Sequence, residues 1–304
     1  MSTLVTGGTG FIGRYVLDRL EDRGEDVVSY DRAPSGAGLP VSVTSVQGEL
    51  FDLSRLAATV TEHDVRRIVH AAGMSDPLLS TGMPVATVAA NAFGTLNVLE
   101  AARLAGVRGR VVLLSSTTVY GDDDPEPDGR PPLRPQTPYA ASKAFGDMLG
   151  QVYTHSYGLD VVSLRFAEAY GPGRQLPSVL QRILDAALAR RPLRLVEGPD
   201  RPYRLVHVED ASRAIVAALD APSPTTRIYD ITGERVVLAQ IVAIVRDRLP
   251  QADIEVGSGS VASFDSQGPI AVTAAARELG YRPRWGLARG IDDFCAWREA
   301  EEAC

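Results

Sequence analysis

The chain has 304 residues, 45% of them hydrophobic, enough to bury one large α/β unit or two domains. A formal charge of -7, with no Lys/Arg cluster interleaved with aromatics, leaves no footprint for nucleic acid, and no apolar run is long enough to cross a bilayer. The apolar pattern starts at Ser2, which leaves no room for a secretory leader, so a cytoplasmic protein is expected.

In chain order, "TLV" at 3–5 reads as a strand, residues 11–23 as a helix, "DVVSY" at 26–30 and "RRIVH" at 66–70 as strands, and 84–105 as a helix. "RVVLL" at 110–114 is the next strand, 139–157 the next helix and "DVVSLR" at 160–165 a further strand. Strands that are apolar throughout and alternate with helices predict a doubly wound parallel sheet, a Rossmann-like dinucleotide-binding domain over 1–165. "GDDDPEPDGRPPLRPQTP" at 121–138 is too rich in Pro for a helix or an inner strand. Beyond Arg165, the Gly/Pro breaks "GPGRQLP", "EGPDRPYR" and "DAPSPTT" predict a smaller, irregular substrate-binding lobe over 166–304, with about 205–235 returning to the main sheet. Cys295 and Cys304 have no nearby His to complete a metal site and read as incidental; no metal is expected.

The stretch "VTGGTGFIGRYVLDRLEDRGEDVVSYDRA" at 5–33 places three glycines between a strand and a helix. Gly7 permits the tight turn, Gly10 lets a pyrophosphate approach the backbone, and Gly13 lets the helix pack closely. The unpaired N–H groups and partial positive charge of a helix N-terminus suit phosphate. Phe11 and Ile12 lie inside this turn and join it as candidate cofactor contacts, as does Phe166 further on. Asp31, closing the second strand, can accept from both ribose hydroxyls and repels a 2′-phosphate, which favours NAD over NADP. Arg32 pulls the other way, and both residues also fit a plain solvated turn.

In "TPYAASKAFGDML", Thr137 can cap a helix, Pro138 suits its first turn, and Tyr139 and Lys143 fall four apart on one face. A cation beside a phenol favours the phenolate, making Tyr139 a usable base. An exposed helix on which the two merely pack is the plainer reading of such a pair. Ser116, at the carboxyl edge of the strand in "LLSSTTVYG", favours the catalytic one, because ligands bind there in open α/β sheets.

Together TGGTGFIG, HAAG at 70–73, NAFGTLNVLEAAR at 91–103, SSTTVYG, YAASK and "LGYRPRW" resemble the extended short-chain dehydrogenase/reductase family, in its NAD-dependent sugar epimerase and dehydratase group. The resemblance implies Tyr139 as base, Lys143 as its partner and ribose ligand, and Ser116 as hydroxyl donor. It also implies Glu49 and Leu50 beside adenine, Ala71 and Ala72 lining the cofactor, and Asn91 supporting the nicotinamide pocket.

Departures from the family pattern bear on substrate. Where its dehydratases place an Asp-Glu pair, this chain has Thr117 and Thr118, which disfavours dehydration. Glu168 in "RFAEAYGPG" stands where nucleotide-sugar enzymes usually have Asn, and Arg204 is displaced by one position from their usual arginine, pointing it to the other strand face. Both features argue for a substrate without a diphosphate; Arg174 and Arg201 can compensate, and Glu168 paired with an arginine or Arg204 as a strand-surface charge are the structural alternatives. Ser75, Thr117, Glu168, Arg174 and Arg204 are the candidate substrate contacts.

The expected activity is oxidation of a secondary alcohol on a sugar or sugar derivative, with epimerisation through a keto intermediate slightly ahead of net dehydrogenation of a small sugar or polyol. A catalytically silent NAD-binding regulator is the third reading. The alanine-rich, apolar "VATVAANAFGTLNVLEAA" covers more than one helix face, so a homodimer through helices 84–105 and 139–157 is expected.

Overall fold

The computed structural model describes residues 1–34, 39–121, 132–259, 270 and 272–302. Residues 122–131 of the Pro-rich loop, and Cys304, lie outside them. Two compact units emerge: one takes in Met1–Phe166, Ser212–Ile231 and the described residues of 264–282, and the other Ala167–Ala211 with the described residues of 232–263 and 283 onward.

The strands, in chain order, are β1 (Ser2–Thr6), β2 (Asp26–Asp31), β3 (Thr44–Gln47), β4 (Val65–His70), β5 (Val111–Ser116) and β6 (Val161–Phe166). They continue as β7 (Glu168–Tyr170), β8 (Leu193–Glu197), β9 (Pro202–His207), β10 (Ile228–Ile231), β11 (Glu234–Val237) and β12 (Ile254–Gly259). The first unit holds a seven-stranded parallel sheet in the order β10-β6-β5-β4-β1-β2-β3. Leu4, Val5, Ile68, Val69, Val111 and Val112 are fully buried, as expected for strands covered on both faces. Strand order reverses between β1 and β4, so the ligand crevice of this fold class lies at their carboxyl ends.

Expected and observed elements differ where side chains rather than periodicity decide. The first helix ends at Glu21, and β3 and helix Leu53–Glu62 arise in a stretch with no strong pattern. The expected 84–105 helix is three pieces: Pro84–Val88, a π-turn at Ala89–Phe93 and Gly94–Leu104. A Cβ on Gly94 would lie 2.8 Å from Leu50 Cδ1, so Gly94 is what lets this helix close on the loop after β3. Helix Pro138–Tyr157 starts as read, with Thr137 Oγ1 accepting from Ala140 N, and stops at Gly158 with φ 70°.

The second unit packs helices Val179–Leu188, Leu238–Arg248 and Leu287–Glu302 around buried Ile183, Leu205, Ile241 and Ile291, with a three-stranded sheet β11-β9-β7 and a β12-β8 pair. Of the stretch 205–235 expected to return to the main sheet, Ile228–Ile231 lies in it, but 205–207 and 234–235 belong to β9 and β11. The reason is burial: Leu205, His207 and Val236 point into the second unit. The described residues of 264–282, read as part of the C-terminal lobe, group with the first unit because the Glu278 carboxylate accepts from Thr225 N, Thr226 N and the Tyr229 hydroxyl beside β10.

Candidate active site

The glycine turn closes β1 with Gly7 at φ +73°, where a Cβ would come 2.7 Å from the Ala72 backbone. A Cβ on Gly13 would meet the Gly7 carbonyl oxygen at 2.1 Å, so helix and turn touch only because both residues lack side chains. Gly10 caps helix Phe11–Glu21 with no side-chain hydrogen bond, which leaves the helix N-terminus to an anion. Phe11 and Ile12 are half-buried on its first turn. Asp31, at the end of β2, is oriented by neutral donors: Thr9 N at 3.2 Å and Thr9 Oγ1 at 2.8 Å reach Oδ2, and Ala33 N at 3.1 Å reaches Oδ1. A carboxylate offers about four acceptor positions, so roughly one remains for a ribose hydroxyl. Arg32 is exposed. After β3, Glu49 is exposed, its carbonyl accepting the Tyr30 hydroxyl, while Leu50 is half-buried against Gly94 and held through its carbonyl by Asn97.

Across the crevice, Ala71 N donates to Thr6 O and Ala72 N to Thr6 Oγ1, which sets the backbone after β4 against the glycine turn. Asn91, buried in the π-turn, accepts from Met74 N at 2.8 Å and donates to Met74 O at 2.9 Å and Ser142 Oγ at 3.0 Å. Its side chain is thus spent on clamping the 71–75 loop to helix Pro138–Tyr157. Ser75 is exposed on that loop. His70 is a buried participant that the motif reading did not assign: Nδ1 lies 2.8 Å from Thr6 Oγ1 and Nε2 lies 3.1 Å from Thr95 Oγ1. Burial and the nearby Lys143 cation push its pKa down to about 3, so it is neutral.

Tyr139 is buried one helical turn before Lys143, whose Nζ lies 5.8 Å from the Tyr139 ring centre and donates to Leu114 O at 2.8 Å. Burial lowers the Lys143 pKa to about 8, and Asp147, a further turn along, opposes that shift. Asp147 is itself fixed by Arg165 at 2.7 Å, which also donates to the Tyr120 hydroxyl. Ser116 caps the 3-10 turn Thr117–Tyr120; its Oγ accepts from Thr118 N at 3.2 Å and Thr118 Oγ1 at 3.0 Å. With both lone pairs occupied, its one proton is left to donate. Thr117 is fully buried and donates to Phe166 O at 3.3 Å, which turns it toward the buried end of β6.

In the second unit, Glu168 Oε1 lies 3.7 Å from Arg174 Nη2. Arg174 also donates to Ala169 O and to Leu176 O, so it is committed to its own loop. Arg204 faces Arg235 across the β9–β11 register, and its neighbours Tyr203 and Leu205 turn to the core face. Arg201 lies over the Tyr203 ring, 5.4 Å from its centre. The "RPRW" end of the C-terminal motif is held where Asp210 Oδ2 accepts from Arg284 N and Trp285 N. Among the described residues no cluster of His, Cys, Asp and Glu could hold a metal ion, and no helix is long and apolar enough to cross a membrane. The Cys295 thiol is half-buried and its pKa is raised by that burial.

Similar proteins align with most of the chain. The UDP-glucose 4-epimerase of Mycolicibacterium smegmatis is 30% identical, over 96% of this chain and 96% of its own. The dTDP-glucose 4,6-dehydratase of Mycobacterium tuberculosis is also 30% identical, over 82% of this chain and 79% of its own. A structure of MoeE5 in complex with UDP-glucuronic acid and NAD superposes with a TM-score of 0.88 at 26% identity, covering 99% of this chain and 100% of that one. The glycine turn that a Cβ would fill, the uncapped helix above it and the oriented Asp31 carboxylate fit the NAD on which such enzymes depend. The model of the NAD dependent epimerase/dehydratase family matches residues 3–232, and the chain belongs to that family of enzymes, with NAD as its cofactor.

Proposed function

We propose that the protein is a nucleotide-sugar 4-epimerase. The observation that carries this reading is the set Tyr139, Lys143 and Ser116 at the carboxyl edge of the sheet, followed by two threonines in place of a dehydratase's acid and base. Gly7, Gly10, Phe11, Ile12 and Gly13 hold the pyrophosphate; Asp31 takes the adenosine ribose, with Arg32 a bystander; Glu49 and Leu50 lie beside adenine. Ala71, Ala72 and Phe166 form the remaining cofactor wall, Asn91 supports the nicotinamide pocket from behind through Met74 and Ser142, and Lys143 serves the second ribose. Bound NAD supplies a hydride acceptor that can return the hydride to the opposite face of a ring ketone. Tyr139 takes the proton of the sugar C4 hydroxyl and gives it back after the ketone has turned over. Ser116 donates its proton to the same oxygen, and the Lys143 cation favours the Tyr139 phenolate.

The sequence alone pulls away from a nucleotide handle because of Glu168. The ion pair with Arg174 offsets that carboxylate, so the charge no longer argues against a diphosphate, and the relative and the solved complex named above both involve UDP-sugars. Incubation with UDP-glucose, UDP-glucuronate or dTDP-glucose and NAD tests the reading. The C4 epimer should form without net NADH absorbance. Net NADH would point instead to a dehydrogenase, and a 4-keto-6-deoxy sugar would point to a dehydratase.

A homodimer belongs to the same proposal. Phe145, Met148 and Val152 are exposed along one face of helix Pro138–Tyr157, and Met83, Val85, Val88 and Phe93 are exposed along the neighbouring helical stretch. Apolar faces of this extent are normally covered by a partner. Light scattering at micromolar concentration should report a dimer.

A further inference from the structure

His70 sits between the cofactor side and the catalytic side of the crevice, and the protons around it can be assigned one by one. Thr95 Oγ1 is 2.6 Å from the Asn91 carbonyl oxygen, which can only accept, so the single Thr95 hydroxyl proton is spent there. Toward His70 Nε2, at 3.1 Å, Thr95 can then only accept, so Nε2 carries a hydrogen. A neutral imidazole has one N–H, so Nδ1 is bare and must accept, and the Thr6 hydroxyl at 2.8 Å donates to it. Thr6 Oγ1 keeps its acceptor role toward Ala72 N at 3.3 Å.

The outcome is a chain of one polarity: Ala72 N–H to Thr6, Thr6 to His70, His70 to Thr95, Thr95 to the Asn91 carbonyl. A second pair of bonds starts from the Asn91 side chain, whose Nδ2 donates to Ser142 Oγ, which in turn donates to the Tyr139 carbonyl at 2.7 Å. Protonating His70 would put a donor on Nδ1 opposite the Thr6 donor and break the order. Lys143 is the charged group acting on this buried ring, and its cation disfavours that protonation.

We propose that His70 is a positioning residue, which as the neutral Nε2–H tautomer fixes the Ala71–Ala72 backbone in register with the Asn91 π-turn, to which the Tyr139 end of its helix is bonded through Ser142. The His70 ring is buried, so it acts through the groups it is bonded to. The two sides it joins are those that must bring NAD and Tyr139 to the same carbon, so the functional half rests on the epimerase reading, while the tautomer does not.

The test has two arms. Nitrogen-15 imidazole spectra of the NAD-loaded protein, in which His70 is one of four histidines, should show it as a neutral Nε2–H ring that does not titrate between pH 5 and 9. An Nδ1–H ring, or titration near its ordinary pKa, overturns the proposal whatever the substrate. In the second arm, Thr95→Val removes the acceptor for Nε2–H without changing side-chain shape, and Thr95→Ser keeps it. Thr95→Val should release the tautomer preference and slow single-turnover NAD reduction about tenfold, as small misplacements of reacting groups do. NAD affinity should change less than about twofold, and Thr95→Ser should restore both readouts. A Val variant with the wild-type tautomer and rate overturns the proposal. If no candidate sugar reduces NAD in the wild type either, the epimerase reading fails while the spectra still decide the tautomer.

Discussion

Two carboxylates made prominent by the sequence motifs, Asp31 after the glycine turn and Glu168 at the start of β7, are held in different ways. Asp31 is oriented by two backbone N–H groups and one hydroxyl, all neutral, so its charge stays available to a ligand. Glu168 faces a guanidinium 3.7 Å away, so its charge is largely offset locally. Neutral donors aim a charge without cancelling it, whereas an ion pair cancels what it aims. A carboxylate in a sequence therefore predicts repulsion or selection only once its partner is known.

That contrast can be broken by substitution. The largest effect belongs to the proposed base: Tyr139→Phe should lower turnover by at least about 10²-fold, as loss of a general base does, with NAD affinity nearly unchanged by calorimetry. Turnover within a few-fold of wild type would remove Tyr139 from the chemistry. Next comes the scaffold that holds Asp31 in place. Gly13→Ala puts a methyl 2.1 Å from the Gly7 carbonyl oxygen, and overpacking of this kind costs about 1–3 kcal/mol. Its melting temperature and NAD affinity should fall together; a loss of stability with unaltered NAD binding would mean the turn is not the cofactor cradle.

Smaller effects probe the carboxylates directly. Asp31→Asn keeps a side-chain acceptor for Thr9 while removing the charge, and should narrow the preference for NAD over NADP by about tenfold, the worth of one charged hydrogen bond. Glu168→Gln should cost less than about 1 kcal/mol in denaturant melts, the usual value for a partly exposed pair, and should change UDP affinity by less than about fivefold. Should the Glu168 variant bind UDP tenfold or more tightly than wild type, the carboxylate is not offset, and the distinction between the two sites collapses.

What was legible in the sequence follows the same line. Gly7, Gly13, Thr137 and the Tyr139–Lys143 spacing could be read because backbone sterics and helical periodicity act over a few residues, and the parallel sheet followed from its apolar strands. Thr117, read from the sequence as a substrate contact, turns its hydroxyl to a carbonyl at the end of β6, 49 residues away. His70 could not be placed, because its partners Thr6 and Thr95 lie 64 and 25 residues away. The π-turn at Ala89–Phe93 escaped because one inserted residue leaves helical composition unchanged while turning Asn91 inward to Met74 and Ser142. β3 was missed because its four residues bury only Val46.

The seventh strand of the main sheet has a consequence during synthesis. β6 ends at Phe166 and its outer neighbour β10 begins at Ile228. At roughly 5–20 residues per second, the roughly 60 residues between them keep the outer edge of β6 unpaired for about 3–12 s after it could join β5. An open edge of a buried, apolar strand is a template for pairing with another chain. A ribosome pausing between those strands lengthens the time for which that edge is open to pairing with another chain.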